Sequence, residues 1–338
     1  MRTHSKENNK NSAAKKIVPA VGMLALSATM LSTSTYAWFT MNKEVEMTGL
    51  NMTAAVGEGM EISLASVTGA TKDLAFSGAK FENNHPKDTT DELGWSSAVV
   101  VDDYYKSIGA IRPASSVSGK DLYDATDATN GGRTANNFVA VTTAAALAQR
   151  TTKTEGEAIV SEGEEGYYVD IPVHLRTNKK SATTTTTGDI FYKMKITAYD
   201  PENADQAVDD ANKDLYKAVR VAFMEYDGNS ALGSKIYGID KEYYDGIKAV
   251  SGATSKTDSN ITTDGVYAAD AYDNGDYKDA GIDIPLAAAG DNYGHLDFVV
   301  RVWLEGESTS CYNDKQGQSW NIDLAFSLGN PADNAQNA

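Results

Sequence analysis

The sequence predicts an all-β protein: an antiparallel β-sandwich of jelly-roll type, with long loop insertions and one or two short helices. Three observations predict it. Apolar residues recur at every second position through several long runs. Stretches rich in Gly, Asp, Ser and Thr separate those runs. Nowhere do strand-like and helical runs alternate at the spacing a parallel βαβ sheet requires. With 338 residues, 41% of them apolar, the chain can form one large β domain or two ordinary ones.

The N-terminal segment has a different character. Arg2, Lys6, Lys10, Lys15 and Lys16 stand against the single acid Glu7, and Ile17–Leu31 is then a run of apolar and small residues. Thr35 and Ala37 occupy the −3 and −1 positions of a cut after Ala37. A basic start, a short apolar run and a small residue before the cut are the marks of a secretory signal. Ser27, Thr29 and Ser32–Thr35 interrupt the run, which is short of the roughly 20 apolar residues of a spanning helix. Residues 1–37 are therefore expected to be a signal peptide cleaved between Ala37 and Trp38, with a retained anchor as the other reading. Either places the body outside the cell. The C-terminal NPADNAQNA has neither a hydrophobic tail nor an LPxTG-type sorting signal. No membrane association is expected after cleavage.

Beyond the signal, Phe39, Met41, Val45 and Met47 are odd-numbered apolar positions, interrupted by Lys43. After Gly49 the apolar positions become even: Leu50, Met52, Ala54 and Val56, then Met60, Ile62 and Leu64. A one-residue change of parity turns the buried set to the other face of a strand. Two readings stand: a bulge at Gly49, or a strand 38–48 that pairs in a different sheet, even in a different molecule.

Residues 66–165 form the longest weakly patterned stretch and read as an insertion, within which 137–149 reads as strand and then helix. YYVDIPVHLR aligns Val169, Ile171, Val173 and Leu175 on one face. TNKKSATTTTTGD (177–189) reads as a hairpin tip. DIFYKMKITAY aligns Ile190, Tyr192, Met194, Ile196 and Ala198. ADQAVDDANKDLY (204–216) is the best helix candidate. KAVRVAFMEY turns Val219, Val221 and Phe223 inward around Arg220, and 227–281 reads as a long Gly-, Asp-, Ser- and Tyr-rich loop. GHLDFVVRVWLEG and SWNIDLAFSL alternate most cleanly, and both are expected to be central strands. The domain plan is thus a signal peptide (1–37), a donor-type strand (38–48), a jelly-roll core (49–65 and 166–330), the insertion (66–165) and a flexible tail (331–338).

Chemistry-bearing motifs are scarce. The formal charge of −17 repels nucleic acid and anionic lipid, so neither is an expected partner. A single cysteine, Cys311, permits no internal disulfide framework and reads as a structural thiol. His4, His85, His174 and His295 are scattered, and His174, opposite the apolar face of its strand, reads as solvated. No HExxH, GxSxG, phosphate loop or CxxC occurs. Asp270, Asp273, Asp276 and Asp279 miss the EF-hand spacing and read as a solvated acidic loop rather than a calcium site. Tyr104, Tyr105, Tyr243, Tyr244, Tyr267, Tyr272 and Tyr277 could stack on sugars or proteins, or pack on the sandwich, and packing is the preferred reading. No catalytic, cofactor-binding or metal-binding residue is expected.

The stretch STYA-WFTMNKEVEMTGLNMTAA, with Trp38-Phe39, Asn42-Lys43 and Gly49–Ala54, resembles the cleavage region and first mature strand of the TasA/camelysin group. These are exported Gram-positive proteins processed by a SipW-type signal peptidase. RVAF (220–223) and VWLEGESTSCYN (302–313) resemble relatives sharing this leader. The resemblance implies a jelly-roll subunit of an extracellular biofilm fibre that donates its N-terminal strand to the next copy. Trp38, Phe39, Met41, Val45 and Met47 would fill a groove in the acceptor, and Gly49 would be the hinge. Camelysins are described as proteases, and no metal-ligand motif here carries that over. The insertion 66–165 and the long loop 227–281 are extra to the family pattern. The expected function is a secreted, non-enzymatic fibre subunit whose partners are copies of itself. The alternative is a monomeric, adhesin-like surface module holding a glycan or protein in its Tyr-rich loops, with a secreted hydrolase third.

Overall fold

The structure, a computed structural model, describes residues 50–54, 59–63, 95, 97–100, 105–108, 111, 113–124, 139–140, 150–152, 167–199, 213–225, 231–241, 261–306, 308–311 and 318–331. Its strands in chain order are β1 (Leu50–Ala54), β2 (Met60–Ser63), β3 (Ala98–Val100), β4 (Tyr105–Ile108), β5 (Tyr123–Asp124), β6 (Val139–Ala140), β7 (Arg150–Thr152) and β8 (Tyr168–Thr177). They continue with β9 (Thr187–Tyr199), β10 (Val219–Met224), β11 (Ala231–Tyr237), β12 (Ile261–Thr262), β13 (Val266–Tyr267), β14 (Lys278–Pro285), β15 (Gly294–Leu304) and β16 (Ser319–Leu328). Among the described residues 3₁₀ turns lie at Leu215–Ala218, Ala269–Tyr272 and Thr309–Cys311, and Pro331 is helical.

The chain is all-β. Two six-stranded sheets carry the core: sheet A in the order β13-β9-β16-β1-β3, with β14 also on β9, and sheet B in the order β12-β11-β10-β15-β8-β2. Both expected central strands are interior: β15 lies between β10 and β8, and β16 between β9 and β1. Most ladders are antiparallel, as expected, but β1–β16, β11–β12 and β13–β9 are parallel. The sheets are therefore mixed.

Alternation explains why these segments pair face to face. Val169, Ile171, Val173 and Leu175 of β8 face Ile190, Tyr192, Met194 and Ile196 of β9 within one core, with Trp320, Ile322, Leu324, Phe326 and Leu328 of β16. Phe223 of sheet B meets Tyr192 and Phe326 of sheet A at ring-centroid distances of 5.9 and 5.6 Å. It also meets Tyr237 and Phe298 of its own sheet. Offset and edge-on aromatic contacts of this kind add about 0.5–1.5 kcal/mol each beyond area burial. Met52 and Ala54 of β1 join this core from sheet A, and Met60 and Ile62 of β2 from sheet B. The chain thus changes sheets between residues 54 and 60.

Two expectations are corrected, and a third is described only at its end. Residues 177–189 do not close a β8–β9 hairpin, because those strands belong to different sheets; the hairpin turn that forms is a tight one within the segment, where Ala182 and Thr185 exchange N–H···O bonds of 2.9 and 3.1 Å. This segment crosses between them, tied by Ser181 N–H to Ala287 O and Ala287 N–H to Lys179 O, both 2.9 Å. The span 227–281 is not one loop: it holds β11, β12, β13 and the start of β14. Of the helix expected at 204–216, residues 204–212 lie outside the described residues and only the 3₁₀ turn Leu215–Ala218 follows.

The stretch read as an insertion adds a strand to sheet A and packs on sheet B. β3 pairs antiparallel with β1. Residues 113–124 lie on the outer face of sheet B, where Ala114 and Leu122 cluster with Ala222, Met224, Ile236, Val299 and Trp303. Gly119 (φ +71°) comes close enough that a Cβ there would stand 3.0 Å from Ala222 Cβ. Around β10, sheet B is consequently buried on both faces, and β10 is buried at every position. Of 137–149, Val139–Ala140 is strand, as read, and 141–149 lies outside the described residues.

Candidate functional site

The residues expected to form the cleavage site and donor strand, Ala37, Trp38, Phe39, Met41, Val45, Met47 and Gly49, all lie outside the described residues. What is described is the strand they lead into. Leu50 pairs in parallel with Ile322, so β16 reaches back past Leu50 only through Asn321, Trp320 and Ser319. On the other side of β1, β3 ends at Val100, opposite Asn51. On the β16 side the entrance to β1 therefore offers a ledge of three residues.

The second concentration of chemistry is the outer face of sheet B. The inward parity of β2, β8, β10 and β15 leaves Glu61 and Ser63, Asp170, His174 and Arg176, Arg220, and His295, Asp297 and Arg301 on the opposite face. Register then places them in rows. Glu61 lies across from Arg176, which lies across from His295; Ser63 lies across from His174, which lies across from Asp297; Asp170 lies across from Arg301. Directly opposed residues of opposite charge stabilise a sheet.

His174 is fully buried, with Nδ1 2.7 Å from Asp297 Oδ1. The expectation of a solvated histidine is wrong because this face is covered too, and the carboxylate that pairs with His174 comes from a strand more than a hundred residues away. Arg301, also buried, donates from Nε and Nη2 to the two oxygens of Asp170, each at 2.8 Å, and from Nη1 to Gly119 O at 2.9 Å. Its guanidinium lies 4.1 Å from the centre of the Tyr168 ring. Burial alone lowers its proton affinity, and the charge and hydrogen bonds of Asp170 outweigh that, so its pKa is raised. Arg220 is fully buried; Nη1 donates to Lys217 O and Val219 O, and Nη2 to Asp240 Oδ1 at 2.8 Å.

Arg176 is held differently. Its guanidinium lies against the rings of both Trp95 (4.5 Å) and Tyr293 (4.1 Å), with His295 6.0 Å from Trp95 and 6.3 Å from Tyr293. Nε donates to Glu61 Oε2 at 2.6 Å. No motif of the sequence announced this group, because Trp95 sits in weakly patterned sequence and register alone unites the rest.

On the outer face of sheet A, the tyrosines of the 264–277 segment pack down rather than project. Lys193 Nζ lies 4.4 Å from the Tyr272 ring and 5.2 Å from the Tyr277 ring, and donates to Tyr272 O at 3.1 Å. Lys195 pairs with Asp323 at 2.6 Å. Tyr267 OH donates to Asp276 O at 2.8 Å. Burial raises the pKa of Tyr272 and of Tyr277. In the acidic loop, Asp276 is 3.7 Å from Lys278 Nζ, and Asp279 Oδ1 accepts from Gly281 N–H. Among the described residues no three His, Cys, Asp or Glu side chains are grouped to hold a metal ion. Cys311 is buried.

Compared with known proteins, the chain matches no family model, no curated protein and no solved structure. Among the described residues no helix is long and apolar enough to cross a membrane.

Proposed function

We propose that this chain is a non-enzymatic, exported structural subunit of an extracellular or biofilm-matrix fibre. On this reading residues 1–37 are removed by a SipW-type signal peptidase. The strand 38–48 is then donated to the next copy, giving a head-to-tail homopolymer outside the cell. The observation that carries the reading is the register of β1 against β16. Residues 38–48, if extended, span roughly 36 Å at about 3.3 Å per residue. β16 offers only Ser319, Trp320 and Asn321 beyond Leu50. A strand with its own apolar face, Trp38 to Met47, outruns that ledge and needs a ladder elsewhere, which a neighbouring subunit supplies. The resemblance of 32–54 to the TasA/camelysin leader supports the same reading.

The second reading, a monomeric surface binding module, is favoured by one observation: the aromatic rings packed against Arg176. The Tyr-rich loop 264–277 does not favour it, since its rings lie on Lys193 and Lys195.

The test is negative-stain microscopy and size-exclusion chromatography of protein beginning at Trp38 beside protein beginning at Gly49. Filaments from the first and folded monomers from the second are expected. Monomers from both, across salt and pH, would overturn strand donation.

A further inference from the structure

We propose that Arg176 is a ready-made carboxylate receptor, and that its ligand is a hexuronate residue of an acidic glycan. The inference does not depend on strand donation, and either reading can fail without the other.

The argument starts from how the three buried arginines of sheet B use their donors. Arg301 commits both ends of its guanidinium, to Asp170 and to Gly119 O. Arg220 commits both Nη groups, to Lys217 O, Val219 O and Asp240. Arg176 donates only from Nε, to Glu61, and among the described residues its Nη1 and Nη2 donate to nothing. The residue is 8% exposed, and its Nη groups keep contact with solvent. Burying a guanidinium while leaving its forked end unmatched is costly unless that end has another role.

The fork is also rigid. The rings of Trp95 and Tyr293 both pack against the guanidinium and Glu61 fixes Nε, so much of the usual loss of arginine side-chain freedom on binding is already made. Two parallel N–H groups at fixed spacing match the two oxygens of a planar carboxylate. Glu61 balances the arginine charge locally, so the site suits one carboxylate rather than a dense polyanion such as a phosphate chain.

The surroundings narrow the ligand further. Trp95 and Tyr293 are each partly exposed, offering aromatic surface to an apolar C–H face. Glu61, with its side chain 35% exposed, offers carboxylate oxygen to a hydroxyl. One carboxylate, a C–H face and hydroxyls together describe a uronic-acid pyranose.

The experiment is calorimetry and tryptophan fluorescence on the full chain, titrated with tri-galacturonate, maltotriose, acetate and a hexaglutamate peptide. The expected result is saturable binding of tri-galacturonate, competed by free glucuronate and weaker for maltotriose by about tenfold to a hundredfold, the worth of a charge-assisted bidentate contact. Arg176→Lys, which keeps charge but loses the fork, should weaken it by a similar factor. If that variant does not fold, Trp95→Leu and the glucuronate competition carry the test. No binding of tri-galacturonate, or equal binding of maltotriose, overturns the proposal. Equal affinity for acetate or hexaglutamate overturns the sugar assignment.

Discussion

His174 Nδ1 lies 2.7 Å from Asp297 Oδ1 across the β8–β15 ladder, with the imidazole wholly buried and the carboxylate side chain 19% exposed. The pair fastens two central strands from the face opposite the main core. Asp297→Ala removes this acceptor inside a covered face, and is expected to cost about 1–3 kcal/mol. Urea denaturation measures it. An unchanged midpoint would show that the pair contributes nothing.

Asp170 and Arg301 form the most enclosed ion pair of the described residues, with side chains 2% and 5% exposed. Asp170→Asn leaves the guanidinium without its charge partner and is expected to cost about 3–5 kcal/mol. Replacing both residues, as Asp170→Leu with Arg301→Met, should cost less than the single change, because no uncompensated charge remains. A double variant no more stable than the single one would contradict this account.

Tyr192 and Tyr237 sit in the core with ring centroids 4.6 Å apart, and Tyr192 OH donates to Asp264 O. Burial, then neighbouring negative groups, push both phenols well above the ordinary value of 10.0. A raised pKa in the fold means the fold prefers the neutral phenol. That contribution is complete below about pH 10 and is lost as pH climbs toward the folded-state values. Tyrosinate absorbance followed through an alkaline titration should therefore show a late fraction that ionises together with loss of β-sheet circular dichroism. Smooth ionisation of every tyrosine near pH 10 with the fold intact would refute it.

Gly119 carries a positive φ, accepts Arg301 through its carbonyl and leaves no room for a Cβ beside Ala222. Gly119→Ala should cost about 1–3 kcal/mol. It should also loosen the 113–124 segment from sheet B, which limited proteolysis would detect as new cleavage there before global unfolding.

The inner faces were legible in the sequence because alternation is a local signal: Val169 to Leu175 and Trp320 to Leu328 face the core as their parity requires. KDAGIDIPL carries the same signal, with Ala280, Ile282 and Ile284 buried. The surrounding Gly and Asp masked it, and the start of β14, to Gly281, reads as part of the 227–281 loop. The outer face of sheet B was not legible. Glu61, Asp170, His174, Arg176, Asp297 and Arg301 look like ordinary solvated positions until register opposes their charges. Only the covering segment 113–124, distant in sequence and weakly patterned, turns much of that face inward. Trp95 joins Arg176 for the same non-local reason.

Among the described residues the earliest strand of sheet A lies against the latest: β1 at Leu50–Ala54 takes its parallel partner from β16 at Ile322–Phe326. Closing that ladder requires segments more than 250 residues apart to meet, so formation of the sheet is entropically slow. A growing chain cannot join β9 to β1 until β16 has been synthesised. Any shortened product ending before Ser319 would leave β1 and β9 without the strand that separates them, an exposed pair of edges suited to aggregation rather than to a stable intermediate.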